Sequence, residues 1–490
     1  MNNRTLPYNR GKGLGGSSAI NFCYYTRGAK DDFDEWARRV GDDTFRWENA
    51  ERLFKKFEGY APVTTESHKK YVDWKAENHG ADGPVKISDS DAWEFFQVPA
   101  LEAGYENGWK KNMDINSGDP IGVGVSATTG LKAKRTTAKS AYLQSPPNNL
   151  EIVTDAQATK ILFDGKKAIG VSAGGKDYFA GQELILSAGA LDTPKLLMLS
   201  GVGPKAELER HGIPLHTELP VGIGLQDHLH YWMVVETEEG INPRAKWSTP
   251  ENMKQAAEQL EKDGTGPLSV MYNSGVVGFA KGSDSLYESE EFKNLPSDVQ
   301  AYIKKPTVPT YEFTGTLPIP PQPGWDPAKT YSSVLTFGMV PQSRGTVTLK
   351  SSDPADPPLC DPNFFSHPWD RLAAIDAAKY THKWLTSSGV SPNIIDSLAT
   401  PKSTSDEDVA DFIRGHAIST WHMCSSARMG KKDDAEAVVT SDFRVKGLEN
   451  LRIADVSVVP FIPNAHTVST AYLIGEAAAE RLIDEYKLDG

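Results

Sequence analysis

"RGKGLGGSSAIN", Arg10 to Asn21, decides how this chain is read, because it matches a glycine pattern in surroundings that do not suit it. Gly11, Gly13 and Gly16 satisfy G-x-G-x-x-G, and Asp34 or Glu35 follows about 20 residues on, where a dinucleotide-binding loop places its ribose-binding acid. Glycines in such a loop let the backbone approach a pyrophosphate, but the loop must leave a buried strand and open a helix. The residues before Gly11, "NRTLPYN", are polar and contain Pro7, so no buried strand leads in. The stretch is either an ordinary glycine-rich turn or part of a longer motif.

Length and composition bound the rest. At 490 residues with 39% hydrophobic side chains, the chain has material for two domains or one large elaborated one. Its 52 basic and 65 acidic residues give a net charge of −13, which argues against nucleic acid or an anionic membrane as partner and favours a small molecule. Cys23, Cys360 and Cys424 are odd in number and far apart, so they suggest neither a disulfide framework nor a metal site and are expected to pack. No apolar run is long enough to span a membrane, and "MNNRTLPYNR" lacks the apolar core of a secretory signal. A cytoplasmic location is the expectation.

Residues 31–60 carry apolar side chains at helical spacing, with Gly41 as a break, and predict two amphipathic helices. From Leu150 the texture turns β-prone, with "LEIVT", "KILF", "AIGVSAG" and "ELILSAG" separated by Asp164-Gly165 and Gly174-Gly175 turns. "ELILS" is apolar enough for a strand buried on both faces. Asp192-Thr193-Pro194 then reads as a cap with proline in the first turn of the helix "KLLMLSGVG". A buried strand feeding a helix is the unit of a doubly wound sheet. The middle mixes "PENMKQAAEQLEKDG", which is helix-like, with the proline-rich "TLPIPPQPGWDP"; residues 371–384 and 467–486 also read as helices.

The longer string "RGKGLGGSSAINFCYYTRG" continuing into "KDDFDEWA" resembles the first signature of the glucose-methanol-choline (GMC) family of flavin oxidoreductases. "GALDTPKLLMLSGVGP" (189–204) is similar to the second signature, and "LPVGIGLQDHLH" (219–230) to the turn that follows it. "SRGTVTLKSSDPADPPLCDPNFF" (343–365) and residues 422–483 continue the match in the family's order. The resemblance implies an α/β fold: an incomplete doubly wound FAD-binding domain plus a substrate domain with a mainly antiparallel sheet and helices. It divides the chain into an N-terminal region, 1–232, with flavin-binding parts at about 1–30 and 131–230. A variable substrate-domain region follows at 233–339. The C-terminal region, 340–485, returns to the flavin-binding part at 421–490.

For function the resemblance implies oxidation of a CH–OH group. His422, in "STWHMCSSARMG", and His466, in "PFIPNAHTVSTAYL", match the catalytic pair, with His422 as the main base and His466 as its hydrogen-bonding partner. A neutral imidazole suits proton abstraction near pH 7, and the flavin takes the hydride at N5. His422 is followed by Met423 and Cys424, whereas relatives more often have the histidine followed by proline in a "HP.GT..MG" kind of string, which bears on substrate class. Gly13, Gly15, Gly16 and Ser17 match positions along the flavin and its ribityl-pyrophosphate chain, and Asn21, Phe22, Cys23 and Tyr24 approach the ring. Ala158 matches a backbone contact to adenine and Asp455 the acid near the ribityl and pyrophosphate, while the helix opening at Thr467 and Val468 aims at the pyrimidine. Ile20 stands where covalently flavinylated members have histidine, so the FAD is expected to be noncovalent. The electron acceptor is oxygen or another molecule.

The family pattern normally begins with a strand, a true G-x-G-x-x-G loop, a helix and a second strand, and this sequence enters it after that unit. It is then a fragment, a partner to a separately supplied unit, or a homologue that has dropped flavin. Two alternatives to alcohol oxidation stand beside it: a non-redox member of the hydroxynitrile lyase or synthase type, and a truncated, flavin-free, inactive homologue.

Overall fold

Phe33, Trp36, Ala37 and Val40 are buried along α1 (Lys30–Val40), and Ala50, Leu53, Phe54 and Phe57 along α2 (Trp47–Phe57). Each set recurs three and four apart, which gives each helix one apolar stripe. Gly41 closes α1 at φ 70 and donates its N–H to the Ala37 carbonyl; a Cβ disfavours that left-handed conformation. The computed structural model describes residues 1–2, 4–61, 66, 68–89, 93, 97–238, 249–266, 268, 275–315, 317–319, 324–326, 329–387, 389 and 394–488.

The β-prone stretch after Leu150 resolves into a three-stranded antiparallel meander, Ala158–Asp164, Lys167–Ala173 and Lys176–Phe179. Gly165, Gly174 and Gly175 supply the positive φ of its two tight turns. "LEIVT" forms no strand: Leu150, Ile152 and Val153 are exposed, and no ladder partner lies beside them among the described residues. Strand Leu184–Leu186 pairs in parallel with Leu451–Ile453 alone. Ile185 is 41% exposed, so the expectation of burial on both faces is corrected: a two-stranded ladder leaves a face open.

Helix α3 (Gly189–Leu199) begins before the Asp192-Thr193-Pro194 cap that the sequence suggests, and Pro194 lies inside it. Two remote side chains make this possible. The Asp455 carboxylate accepts from the Gly189 N–H at 3.0 Å and the Thr193 hydroxyl at 2.6 Å, capping the helix from outside. Pro194 cannot donate to the Ala190 carbonyl, and the Ser426 hydroxyl donates to it instead.

An eight-stranded antiparallel sheet forms the other half. Its strands are β1 (Gly122–Val125), β2 (Leu229–Thr237), β3 (Val276–Ala280), β4 (Tyr311–Thr314), β5 (Leu317–Ile319), β6 (Thr330–Gly338), β7 (Ile394–Ala399) and β8 (Ile418–Ser419). The order is β7–β2–β6–β4–β3–β1, with β5 on β6 and β8 on β2. Helix α4 (Pro368–Thr386) covers one face; the Tyr231 hydroxyl donates to the Ala374 carbonyl and the Thr336 hydroxyl to Thr381. Residues Pro250–Asp263 are helical, as their pattern predicts, while residues 316, 320–323 and 327 of the proline-rich span lie outside the described set. A mixed α/β chain with mainly antiparallel sheets matches the expected class. No helix among the described residues is long and apolar enough to cross a membrane, and no cluster of metal-ligating side chains occurs among them. Cys23 and Cys424 are buried, free thiols.

Candidate active site

Register brings three residues of distant sequence into one row. His230 of β2 stands opposite Phe337 of β6, and Phe337 stands opposite Glu312 of β4. Directly paired residues project to the same face of a sheet. Over that row lie two loops from the C-terminal end of the chain, carrying His422 and His466. The Phe337 ring is 5.4 Å from His230 and 5.9 Å from His466.

Each loop is anchored by a buried carboxylate. Asp227 accepts the Ser419 hydroxyl at 2.5 Å and the His422 backbone N–H at 2.8 Å, so the turn through Trp421 is fixed, with Trp421 at φ 58. Burial pushes the Asp227 carboxyl up to about 7. Asp32, near the start of α1, accepts the backbone and side-chain N–H of Asn464 at 2.8 and 2.7 Å, and Tyr302 donates to it at 2.7 Å. His466 donates its backbone N–H to Thr26 at 2.7 Å.

The rings then meet. The His422 and His466 centroids are 4.8 Å apart at 76°, and Tyr24 stacks on His466 at 5.1 Å. His466 Nε2 lies 2.8 Å from Glu312 Oε1; Glu312 is fully buried and its Oε2 has no partner among the described residues. His422 Nδ1 lies 3.0 Å from His228 Nδ1. Burial first, then the neighbouring histidines His466, His228 and His230, hold His422 well below the usual imidazole range. Burial likewise lowers His228 to about 3 and His230 to about 4. His422, His228 and His230 are therefore held as neutral rings, with the Glu312 carboxylate close by at His466, an arrangement suited to accepting a proton.

Two matches to GMC oxidoreductase family models cover residues 1–230 and 341–475. Over its whole length the chain is 33% identical to the "Alcohol dehydrogenase (acceptor)" of Pseudomonas putida and covers 85% of that protein. The chain belongs to the GMC oxidoreductase family. Solved structures agree: a fungal aryl-alcohol oxidase superposes with a TM-score of 0.87 at 25% identity, over 99% of this chain and 88% of that one. An FAD-dependent oxidoreductase from Chaetomium thermophilum gives 0.85 at 26% identity, over 100% of this chain and 88% of that one.

The GMC motif residues gather in part around the pair. Gly13, Gly15 and Gly16 form a turn of positive φ leading into a short 3-10 helix, Gly16–Ala19, and Ser17 accepts the Gly11 N–H at 3.0 Å. Asn21 accepts from the Cys23 N–H at 3.1 Å and from Arg135 at 2.7 Å. Phe22 is 67% exposed and 6.1 Å from Trp421, next to His422, while Cys23 and Tyr24 are buried. Helix α5 (Val468–Tyr486) starts two residues after His466, and Thr467 at its N-cap makes no side-chain cap bond. Both Asp455 oxygens are committed, one to Gly189 and Thr193 and the other to the Ser457 N–H at 2.8 Å. Ala158 opens its hairpin strand with an exposed residue, and no contact joins it to the histidines.

Sequence reasoning missed His228, His230 and Glu312. The first two stood inside "LPVGIGLQDHLH", His230 in β2 and His228 one residue before that strand, two apart, a spacing that puts both side chains on one face of an extended chain. Glu312 carried a weaker signal, a single charge in the short β-prone run "YEFTG".

Proposed function

We propose that this chain is an FAD-dependent oxidoreductase that converts an alcohol carbon to a carbonyl, with His422 as the base and His466 as its partner. One observation carries the reading: a neutral, buried His422 lies 4.8 Å from His466, whose outer nitrogen is held 2.8 Å from the buried Glu312 carboxylate. Bound FAD would supply the hydride acceptor, since no side chain stores hydride. His422 would take the hydroxyl proton. Glu312 would fix the His466 ring and place negative charge behind it, favouring the positive charge that arrives with the proton.

The residues beside the pair suit the cofactor. Gly13 and Gly16 have open space where a Cβ would stand, so backbone can approach a ligand there. Ile20 and Phe22, 57% and 67% exposed, offer apolar area to a flat ring. The uncapped first turn of α5 presents N–H groups and the positive end of its dipole. On this reading Gly13, Gly15, Gly16 and Ser17 hold the ribityl-pyrophosphate chain, and Asn21, Phe22, Cys23 and Tyr24 approach the ring. Thr467 and Val468 face the pyrimidine. The Ala158 main chain meets adenine, and Asp455 supports the ribityl side through its hold on α3. Ile20 has no nucleophile, so the attachment is noncovalent.

The test is spectroscopic. Purified protein should show the two visible bands of oxidised flavin and bleach anaerobically with a member of a panel of primary alcohols. A yellow protein that no alcohol bleaches would favour non-redox use of the site, and a colourless folded protein would favour the flavin-free reading.

A further inference from the structure

We propose that His228 is a positioning residue that fixes the tautomer of His422, leaving the ring proton on His422 Nδ1 and the lone pair on Nε2. This rests on His422 being the base. The two Nδ1 atoms are 3.0 Å apart, and both rings are buried. A neutral imidazole carries one N–H and one lone pair, so one ring of the pair donates and the other accepts. If His228 donated, the proton of His422 would sit on Nε2 and that atom could not act as a base.

The surroundings of His228 decide the direction. Its Nε2 is sealed from solvent and has no partner at full hydrogen-bond geometry among the described residues. The Met339 backbone acts on the ring in the sense that favours a proton on it, as a carbonyl acceptor does, and because Nδ1 is turned to His422 the nitrogen left to carry that proton is Nε2. A proton on Nε2 of His228 leaves Nδ1 as an acceptor, and His422 then donates to it. His422 Nε2 makes no hydrogen bond to a described residue and is not among the sealed atoms, so it is the nitrogen left for a substrate hydroxyl. The arrangement parallels a catalytic triad, in which a buried third group holds a histidine in its working tautomer. His228 holds the proton in place and does not receive it, because burial strongly opposes a charge on its ring.

The experiment is long-range proton–nitrogen NMR of the flavin-loaded enzyme labelled with nitrogen-15 histidine, with His422 assigned by its loss in His422→Gln. The wild type should show His422 protonated at Nδ1. His228→Asn, whose side-chain oxygen can accept from Nδ1, should keep that tautomer and most of the turnover. His228→Ala should give a mixture and lower kcat at least about tenfold with KM little changed, as expected for a histidine left in the wrong tautomer. His422 protonated at Nε2 in the wild type, or His228→Ala with an unchanged tautomer and kcat, would overturn the proposal. If His422→Gln bleached with alcohol as fast as the wild type, the base assignment would fail while the tautomer result stood, so the two claims fail separately.

Discussion

His422 is embedded among three other imidazoles, and its proton affinity is set more by that company and by burial than by its own chemistry. Because its folded-state value is lowered, it stays a free base as pH falls below the ordinary 6.5. The acid limb of kcat/KM that belongs to this group should therefore lie below pH 6.5 when the profile is measured in the loaded enzyme; a midpoint at or above 6.5 contradicts the burial argument. Glu312→Gln keeps the shape of the side chain and removes its charge. A charge-assisted hydrogen bond contributes about 1.5–3 kcal/mol, so kcat should fall roughly 10- to 100-fold, measured in steady state with flavin content matched. The motifs made His422 and His466 legible, since each sits in its own local string. Their partners were not, because His228 meets His422 across 194 residues and Glu312 meets His466 across 154, separations closed by strand register together with the loops that Asp227 and Asp32 anchor.

At the scale of elements, α3 shows how far local punctuation can mislead. Asp192, Thr193 and Pro194 carry every local mark of a helix start, yet the helix begins at Gly189, because Asp455 caps it and Ser426 satisfies the carbonyl that Pro194 strands. Ser426→Ala should leave the Ala190 carbonyl buried without that partner and destabilise the fold by about 1–3 kcal/mol, read from denaturant unfolding; no loss of stability would mean the carbonyl finds another donor. Helices α1 and α2 were legible because their packing follows their own periodicity, with Gly41 as the stop. "LEIVT" and "ELILS" were misread for a common reason: a strand's burial depends on the strands beside it, which composition does not reveal.

Across the whole molecule, the large antiparallel sheet and the two anchored loops build the site together, and its buried groups leave a mark on stability. His228 and His230 have folded-state values of about 3 and 4, against 6.5 in the unfolded chain, so the unfolded state takes up their protons first. Their stabilising contribution is full above pH 6.5 and is lost as pH falls from 6.5 toward about 4 for His230 and about 3 for His228. Asp227 and Asp32, raised to about 7 and about 6, act in the opposite sense and gain stability as pH falls through the same window. A comparison of variants isolates one group: His230→Asn should lose less stability than the wild type between pH 7 and pH 5, by about 1–2 kcal/mol. Equal losses in the two proteins would show that His230 is not held neutral in the native state.

The central claim, that His422 takes the substrate's hydroxyl proton, is tested most directly by anaerobic stopped-flow flavin reduction in His422→Ala, at matched flavin content and with an alcohol that bleaches the wild type. General-base catalysis typically supplies about 10²- to 10⁴-fold, so the reduction rate should fall by that order while the oxidised flavin spectrum is retained. An unchanged reduction rate would contradict the account.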